Sequence, residues 1–171
     1  MGTIKFPVRY VPRNLTRKDK KKQIAMLLKS RKLYKKHKYY TRKHVASYKN
    51  NKNKKSNHIM NARRIYDIQT ITPNKELARK TGCSLSALNQ IVNKGEGAYY
   101  SSGSRPNQTP QSWGLARLAS ALTAGKAAAV DYGIINRGCK HNKRAFIMAN
   151  KATMLVSPSP SPSAVSGKKA L

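Results

Sequence analysis

The sequence predicts a mainly α fold: a small helical domain containing a helix-turn-helix-like hairpin, flanked by an extended basic N-terminal arm and an extended C-terminal tail. Three observations predict it. Apolar residues recur at helical spacing between Ile65 and Cys139, helix start and stop residues bracket those runs, and positive charge is concentrated outside them. Of the 36 Lys and Arg in 171 residues, 22 fall in residues 1–64 against Asp19 alone, whereas 8 fall in residues 65–139 against 4 carboxylates. Three segments follow: a basic arm with one helix (1–64), a helical domain (65–139), and a basic, then Ser/Pro-rich tail (140–171).

The arm opens with "TIKFPVRYVPRNL", where Pro7 and Pro12 restrict the chain to an extended strap. Thr16 suits an N-cap with Asp19 three residues on, and Ile24, Leu27 and Leu28 give a narrow apolar stripe in a lysine-rich helix reaching about Lys36. That stripe needs cover from the downstream domain or from a partner. The following "KKHKYYTRKHVASYKNNKNKK" interleaves Tyr39, Tyr40 and Tyr48 with bases. It can stack on nucleobases and face phosphates, or serve as a solvated linker whose tyrosines pack locally.

In the domain, Thr72 and Pro73 read as N-cap and first helical residue, with Glu76 in the first turn. Gly82 ends that helix, and Ser84 caps a second one that closes near Gly95. The Gly-, Ser- and amide-rich stretch 93–114 then reads as an ordered loop. Thr109 and Pro110 start a third helix carrying Leu115, Leu118, Ala119 and Leu122, with Trp113 near its head. After Gly125, "KAAAVDYGIINRG" predicts a short fourth helix with Ala127, Val130 and Ile134 on one side, Arg137 in its last turn and Gly138 as terminator. The expected core is Leu77, Leu85, Leu88, Ile91, Trp113, Leu118, Leu122, Val130 and Ile134. Past Asn142, "KRAFIMANKATMLV" reads as extended tail, and "SPSPSPS" as a polyproline-type spacer open to phosphorylation.

A net charge of +31 makes polyanions the expected neighbours. The hairpin "ELARKTGCSLSALNQIV" meets helix-turn-helix spacing through Ala78, Gly82, Leu85, Leu88 and Ile91. On that reading Ser84, Ser86, Asn89, Gln90 and Lys94 face nucleic acid, where Asn and Gln pair with adenine. The same spacing describes a packed αα-hairpin. In the basic arm the candidate contacts are Lys20, Lys21, Lys22, Lys35, Lys36, Tyr39, Tyr40, Arg42 and Lys43. In the 93–114 loop they are Tyr99, Tyr100, Arg105, Asn107 and Gln108, facing another protein or packed against the chain itself.

Catalysis and cofactors find little support. The loop lacks the Gly-Lys-Ser/Thr ending of a nucleotide P-loop, and Tyr100 stands where a dinucleotide fingerprint needs its third glycine. The five carboxylates are dispersed, no histidine lies between His58 and His141, and Cys139 with His141 makes only half a metal site. No enzyme activity, metal, cofactor or small-molecule substrate is expected. Two cysteines make no disulfide framework, so a reduced compartment is expected, with the pairing of Cys83 and Cys139 left open. No apolar run approaches the roughly 20 residues that span a bilayer.

Three stretches, "RYVPRNLTRKDKKKQI", "SRKLYKKHKYYTRK" and "ITPNKELARKTGCSLSALNQIVNKGEGAYYSSGSRPNQTPQSWGLARLASALTAGKAAAVDYGIINRGC", together resemble a group of small basic proteins of giant DNA viruses, including chlorella-virus and mimivirus relatives. The resemblance runs over about residues 8–139, and "GAYYSSGSRPNQTPQSW" is its most distinctive part. It implies a viral protein made in the host cytoplasm and placed in the virion, beneath or within the capsid shell. There it would be a minor capsid protein assembling with major and other minor capsid proteins. The basic arm would meet viral DNA, acidic protein or inner-membrane head groups. The alternative expectation is a helix-turn-helix-like protein acting on viral DNA. No catalytic residues carry over from the resemblance.

Overall fold

The computed structural model describes residues 4–49 and 57–156. The Ser/Pro spacer and residues 50–56 of the arm lie outside the described residues. Among the described residues the chain is mainly helical, with eight helices and no named strand: α1 Arg17–Tyr34, α2 Asn57–Tyr66, α3 Lys75–Thr81, α4 Leu85–Ser101, α5 Pro110–Leu122, α6 Lys126–Val130, α7 Tyr132–Gly138 and α8 Arg144–Val156.

Local capping sets most of the helix starts. Thr16 accepts from the Asp19 N–H and begins α1, Ser84 accepts from Ala87 and begins α4, and Thr109 forms a reciprocal capping box with Ser112 ahead of Pro110 in α5. Gly82, at φ 73°, ends α3 in the left-handed region. The start of α3 differs from expectation: Asn74 accepts from Leu77 and is the cap, which leaves Thr72 and Pro73 outside the helix.

The largest departure concerns α4, which does not close near Gly95 but continues to Ser101. The reason is a helix crossing. A Cβ on Gly95 would lie 2.6 Å from the Gly114 Cα, and one on Gly114 would lie 2.7 Å from the Val92 carbonyl oxygen. The two glycines bring the α4 and α5 backbones together. The packing gained at that contact offsets the low helix propensity that made them read as loop residues.

The core is built where α2, α3, α4, α5, α6, α7 and α8 meet. Leu77, Leu88, Ile91, Leu118, Leu122 and Ile134 are buried in it as expected. Leu85 is 38% exposed and Val130 66% exposed, so neither is core. Trp113 is partly buried and packs with Tyr10, Val11 and Leu27 of the arm instead. Helix α2 crosses the compositional boundary at residue 64: Ala62 and Tyr66 enter the core, and the Tyr66 hydroxyl donates to the Leu122 carbonyl at 2.7 Å. Arg63 and Arg64 face outward, so charge masked a helix that packs like the others.

The single helix expected over "KAAAVDYGIINRG" is broken at Asp131 into α6 and α7. Residues 144–156, expected as extended tail, form α8, whose Ala145, Ala149 and Ala152 are buried along one face. Alanine carries weak apolar signal but allows close helix contact, which is why this face is silent in the sequence. Cys83 and Cys139 are joined by a disulfide, flanked by hydrogen bonds from Ser84 N–H to Gly138 O (2.8 Å) and from Lys140 N–H to Gly82 O (2.9 Å). The bond settles the pairing of Cys83 and Cys139 that the sequence leaves open.

Candidate polyanion interface and the clasp that presents it

The basic arm is folded back on the domain. Its first residues turn at Pro7, whose carbonyl accepts from Tyr10 and Val11, and they pack Tyr10 and Val11 beside Leu27 of α1. Residues 35–49 return along α1 after His37, at φ 56°. Asp19 accepts from the Ser47 N–H at 2.7 Å, Lys22 donates to the His44 carbonyl at 2.8 Å, and Val45 is fully buried with Leu15 and Met26. The Ser47 hydrogen bonds hold the Asp19 carboxyl below its usual pKa.

Arg42 joins this arm to α4. Its guanidinium donates to Ser30 Oγ (3.1 Å), the Tyr99 carbonyl (3.0 Å) and Ser104 Oγ (2.7 Å). Burial pulls its pKa below the ordinary arginine value, and the nearby tyrosines act in the opposite direction. Arg42 is therefore an internal clasp, and its guanidinium is not a free phosphate contact. Ser104, fully buried, is a clasp residue that no motif in the sequence marks.

The candidates of the 93–114 stretch mostly face the same clasp. Tyr99 is fully buried, and Tyr100 stacks on Tyr34 at 6.3 Å and tilts against Tyr39 at 5.1 Å. Asn107, at φ 61°, uses its amide as a mock strand: its Oδ1 accepts from Val45 N–H at 2.7 Å and its Nδ2 donates to Val45 O at 3.2 Å. Gln108 accepts from Ser112 Oγ at 2.9 Å. Of the five, Arg105 and Asn107 are exposed, and the Asn107 amide is nevertheless engaged with Val45. The covering partner of this stretch is the chain's own arm.

With its apolar side held down, α1 presents the opposite side to solvent. Lys18, Lys21, Lys22, Lys29 and Lys32 are exposed along it, continued by Lys35 and Lys36; Lys20 is exposed as well. An 18-residue helix is about 27 Å long. The only carboxylate on α1 is Asp19, which is engaged with Ser47. Lys29 lies over the Tyr40 ring at 4.7 Å, and Tyr39 and Lys43 are exposed at the same end of the arm.

The candidate recognition helix is partly available. Ser86, Asn89 and Gln90 are exposed on α4, with Gln90 donating to Ser86 at 3.1 Å, while the Ser84 hydroxyl is used as the cap. Lys94 is half-exposed but already paired. Its ammonium lies 2.9 Å from Asp131, which also receives a two-pronged contact from Arg117 at 2.7 and 2.8 Å. Burial alone would raise the pKa of this fully buried carboxyl, but the hydrogen bonds and charges of Arg117 and Lys94 outweigh it and lower the value. In the sequence Asp131 reads as one dispersed acid among five.

Among the described residues no group of three or more His, Cys, Asp or Glu side chains can hold a metal ion, and no helix is long and apolar enough to cross a membrane. The profile of a protein family, described as "Family of unknown function (DUF5824)", matches residues 7–140. No curated protein and no solved structure matches the chain. The family match spans both the arm and the helical core, as the clasp does.

Proposed function

The chain belongs to the family of unknown function DUF5824, and from its own geometry we infer a non-enzymatic structural protein that attaches to a polyanionic surface, nucleic acid first. The observation that carries this reading is the exposed lysine side of α1, held in place by the arm's packing on α4 and α5. A fixed row of ammonium groups displaces counterions from a phosphate backbone without reading its sequence. The resemblance to giant-virus proteins supports a place in a virion, as a minor capsid protein beside capsid subunits, the genome or inner-membrane head groups. The Cys83–Cys139 disulfide suits an oxidising setting outside the host cytosol better than a reducing one.

Binding of a fluorescent 20-base-pair duplex, followed as salt is raised, tests the interface. Each phosphate neutralised contributes about 0.9 to the log-log slope. The variant K21Q/K29Q/K32Q should flatten that slope, and an unchanged slope would remove α1 from the interface. Phosphatidylserine vesicles in the same titration distinguish lipid from nucleic acid. Mass spectrometry of purified particles tests the virion assignment, which absence of the protein would end.

A second reading keeps the helix hairpin as a sequence reader, favoured by the exposed Ser86, Asn89 and Gln90. It predicts that N89A/Q90A lowers preference among duplex sequences and leaves the salt slope intact.

A further inference from the structure

Far from the clasp, four cations surround an open cleft of about 580 Å³ above the disulfide. Arg79 comes from the last turn of α3, Arg137 from the last turn of α7, and Lys140 and Lys143 from the link between α7 and α8. All four are exposed, and no carboxylate lines the cleft. The other internal or interfacial cations have partners: Arg117 and Lys94 meet Asp131, Lys80 meets Asp67, Arg31 donates to Ser102 O, and Arg42 is clasped. Among the described residues, none of the four cleft cations makes an ion pair.

Basic residues in a last helical turn ordinarily serve the carbonyl end of that helix. Here the Gly82 and Gly138 carbonyls at those ends already accept from Lys140 and Ser84 N–H groups. The Lys143 stem is fixed against Gly82, where an added Cβ would come 2.4 Å from its Cγ. Two arginines and two lysines thus line one open cleft with no protein anion to balance them. Mutual repulsion of such a set is relieved by a bound multivalent anion.

We propose that this cleft is a phosphate-binding site. Arg79 and Arg137 supply forked donors matched to phosphate oxygens, while Lys140 and Lys143 supply point charges. The N-terminus of α4 opens at Ser84 beside it and adds to the positive field. The site is separate from the lysine side of α1. The 17 residues of α4 span about 25 Å, and α1 meets that helix near its other end, where Tyr34 Oη would lie 3.2 Å from a Cβ on Gly97. The phosphate can be a free phosphate group or part of a nucleic-acid backbone, and the proposal does not depend on α1 binding DNA.

The test uses the full-length oxidised protein, its R137Q/K140Q variant and the α1 variant K21Q/K29Q/K32Q, with folding checked by circular dichroism. Inorganic phosphate is titrated calorimetrically, and the 20-base-pair duplex is titrated across salt. For a free-phosphate site, R137Q/K140Q weakens phosphate binding at least tenfold, K21Q/K29Q/K32Q leaves it unchanged, and the DNA slope is unaltered. For a backbone site, R137Q/K140Q lowers the DNA slope by about 2, since each contact contributes about 0.9. The proposal is overturned if R137Q/K140Q changes neither quantity, or if the α1 variant lowers phosphate binding equally. Phosphate binding by a protein that ignores DNA would sink the α1 reading and leave the cleft standing.

Discussion

The guanidinium of Arg42 lies 3.8 Å over the centre of the Tyr99 ring, and the Arg42 backbone N–H donates to the hydroxyl of that same tyrosine at 3.1 Å. One residue of the arm thereby engages both the face and the edge of one residue of α4. The charge on Arg42 is also satisfied by Ser30 and Ser104, so removing it strands several partly buried acceptors at once.

Arg42→Ala should lower unfolding free energy by about 2–3 kcal/mol, as expected for losing charge-assisted hydrogen bonds and a partly desolvated cation–π contact. Arg42→Lys should recover little, because one ammonium cannot reach Ser30, Ser104 and the Tyr99 carbonyl together. Denaturant titration gives the energy. Limited proteolysis should cleave residues 35–49 earlier in R42A than in the parent, and equal cleavage rates would show that other contacts hold the arm.

Asp131 is the electrostatic counterpart inside the domain. Asp131→Asn leaves Arg117 and Lys94 facing a neutral amide; both cations keep contact with solvent, so the loss is that of charge-assisted hydrogen bonds, about 1.5–3 kcal/mol. The pH dependence follows from the lowered carboxyl pKa. Its contribution is fully present above the unfolded value of about 3.9 and is lost as pH falls through the folded value. The stability gap between parent and D131N should therefore be widest near neutrality and should narrow below about pH 4. A constant gap down to pH 2.5 would mean that shape, not charge, sets the penalty.

Two nearby glycines in α4 should respond differently to the same substitution. Gly95→Ala drives a methyl into the Gly114 backbone and should destabilise by about 2 kcal/mol or more. Gly97→Ala meets only the Tyr34 hydroxyl, at 3.2 Å, and gains helix propensity worth up to about 1 kcal/mol. It should be neutral or mildly stabilising. Thermal melts of the two variants check the contrast, and equal losses would place the crossing elsewhere along the helices.

That contrast shows where the sequence was readable. Polar caps are local, so Thr16, Ser84, Thr109 and Gly82 marked helix ends without knowledge of the fold. Gly95 reads as a helix end because its neighbour, Gly114, is 19 positions away and leaves no trace in local propensity. The α8 face is silent for a related reason, since Ala145, Ala149 and Ala152 recur at helical spacing but become informative only against α6 and α7. Of the site, the sequence singles out Arg42, Tyr99 and Asn107 by residue type but leaves open whether an outside partner or the chain itself covers them. Arg42 and Tyr99 stand 57 residues apart, and Val45 and Asn107 stand 62 apart. No motif spacing encodes such pairs. The lysines of α1 were legible because surface charge needs no partner to be recognised.

The disulfide offers the last check on how the parts are coupled. Cys83 and Cys139 are 56 residues apart, and by chain entropy closing a loop of that size stabilises by at most about 4 kcal/mol. Reduction, or C83S/C139S, should lower unfolding free energy by about 2–4 kcal/mol. The helical circular dichroism should be retained, because Leu88, Ile91, Leu118 and Ile135 stay buried without help from the sulfurs. The effect should be local as well as global. Hydrogen exchange should rise first at Ser84 and Lys140, whose N–H groups bond across the bridge, while the Val45 amide bonded to Asn107 keeps its protection. Simultaneous loss of protection at both places would mean that arm and core unfold as one unit.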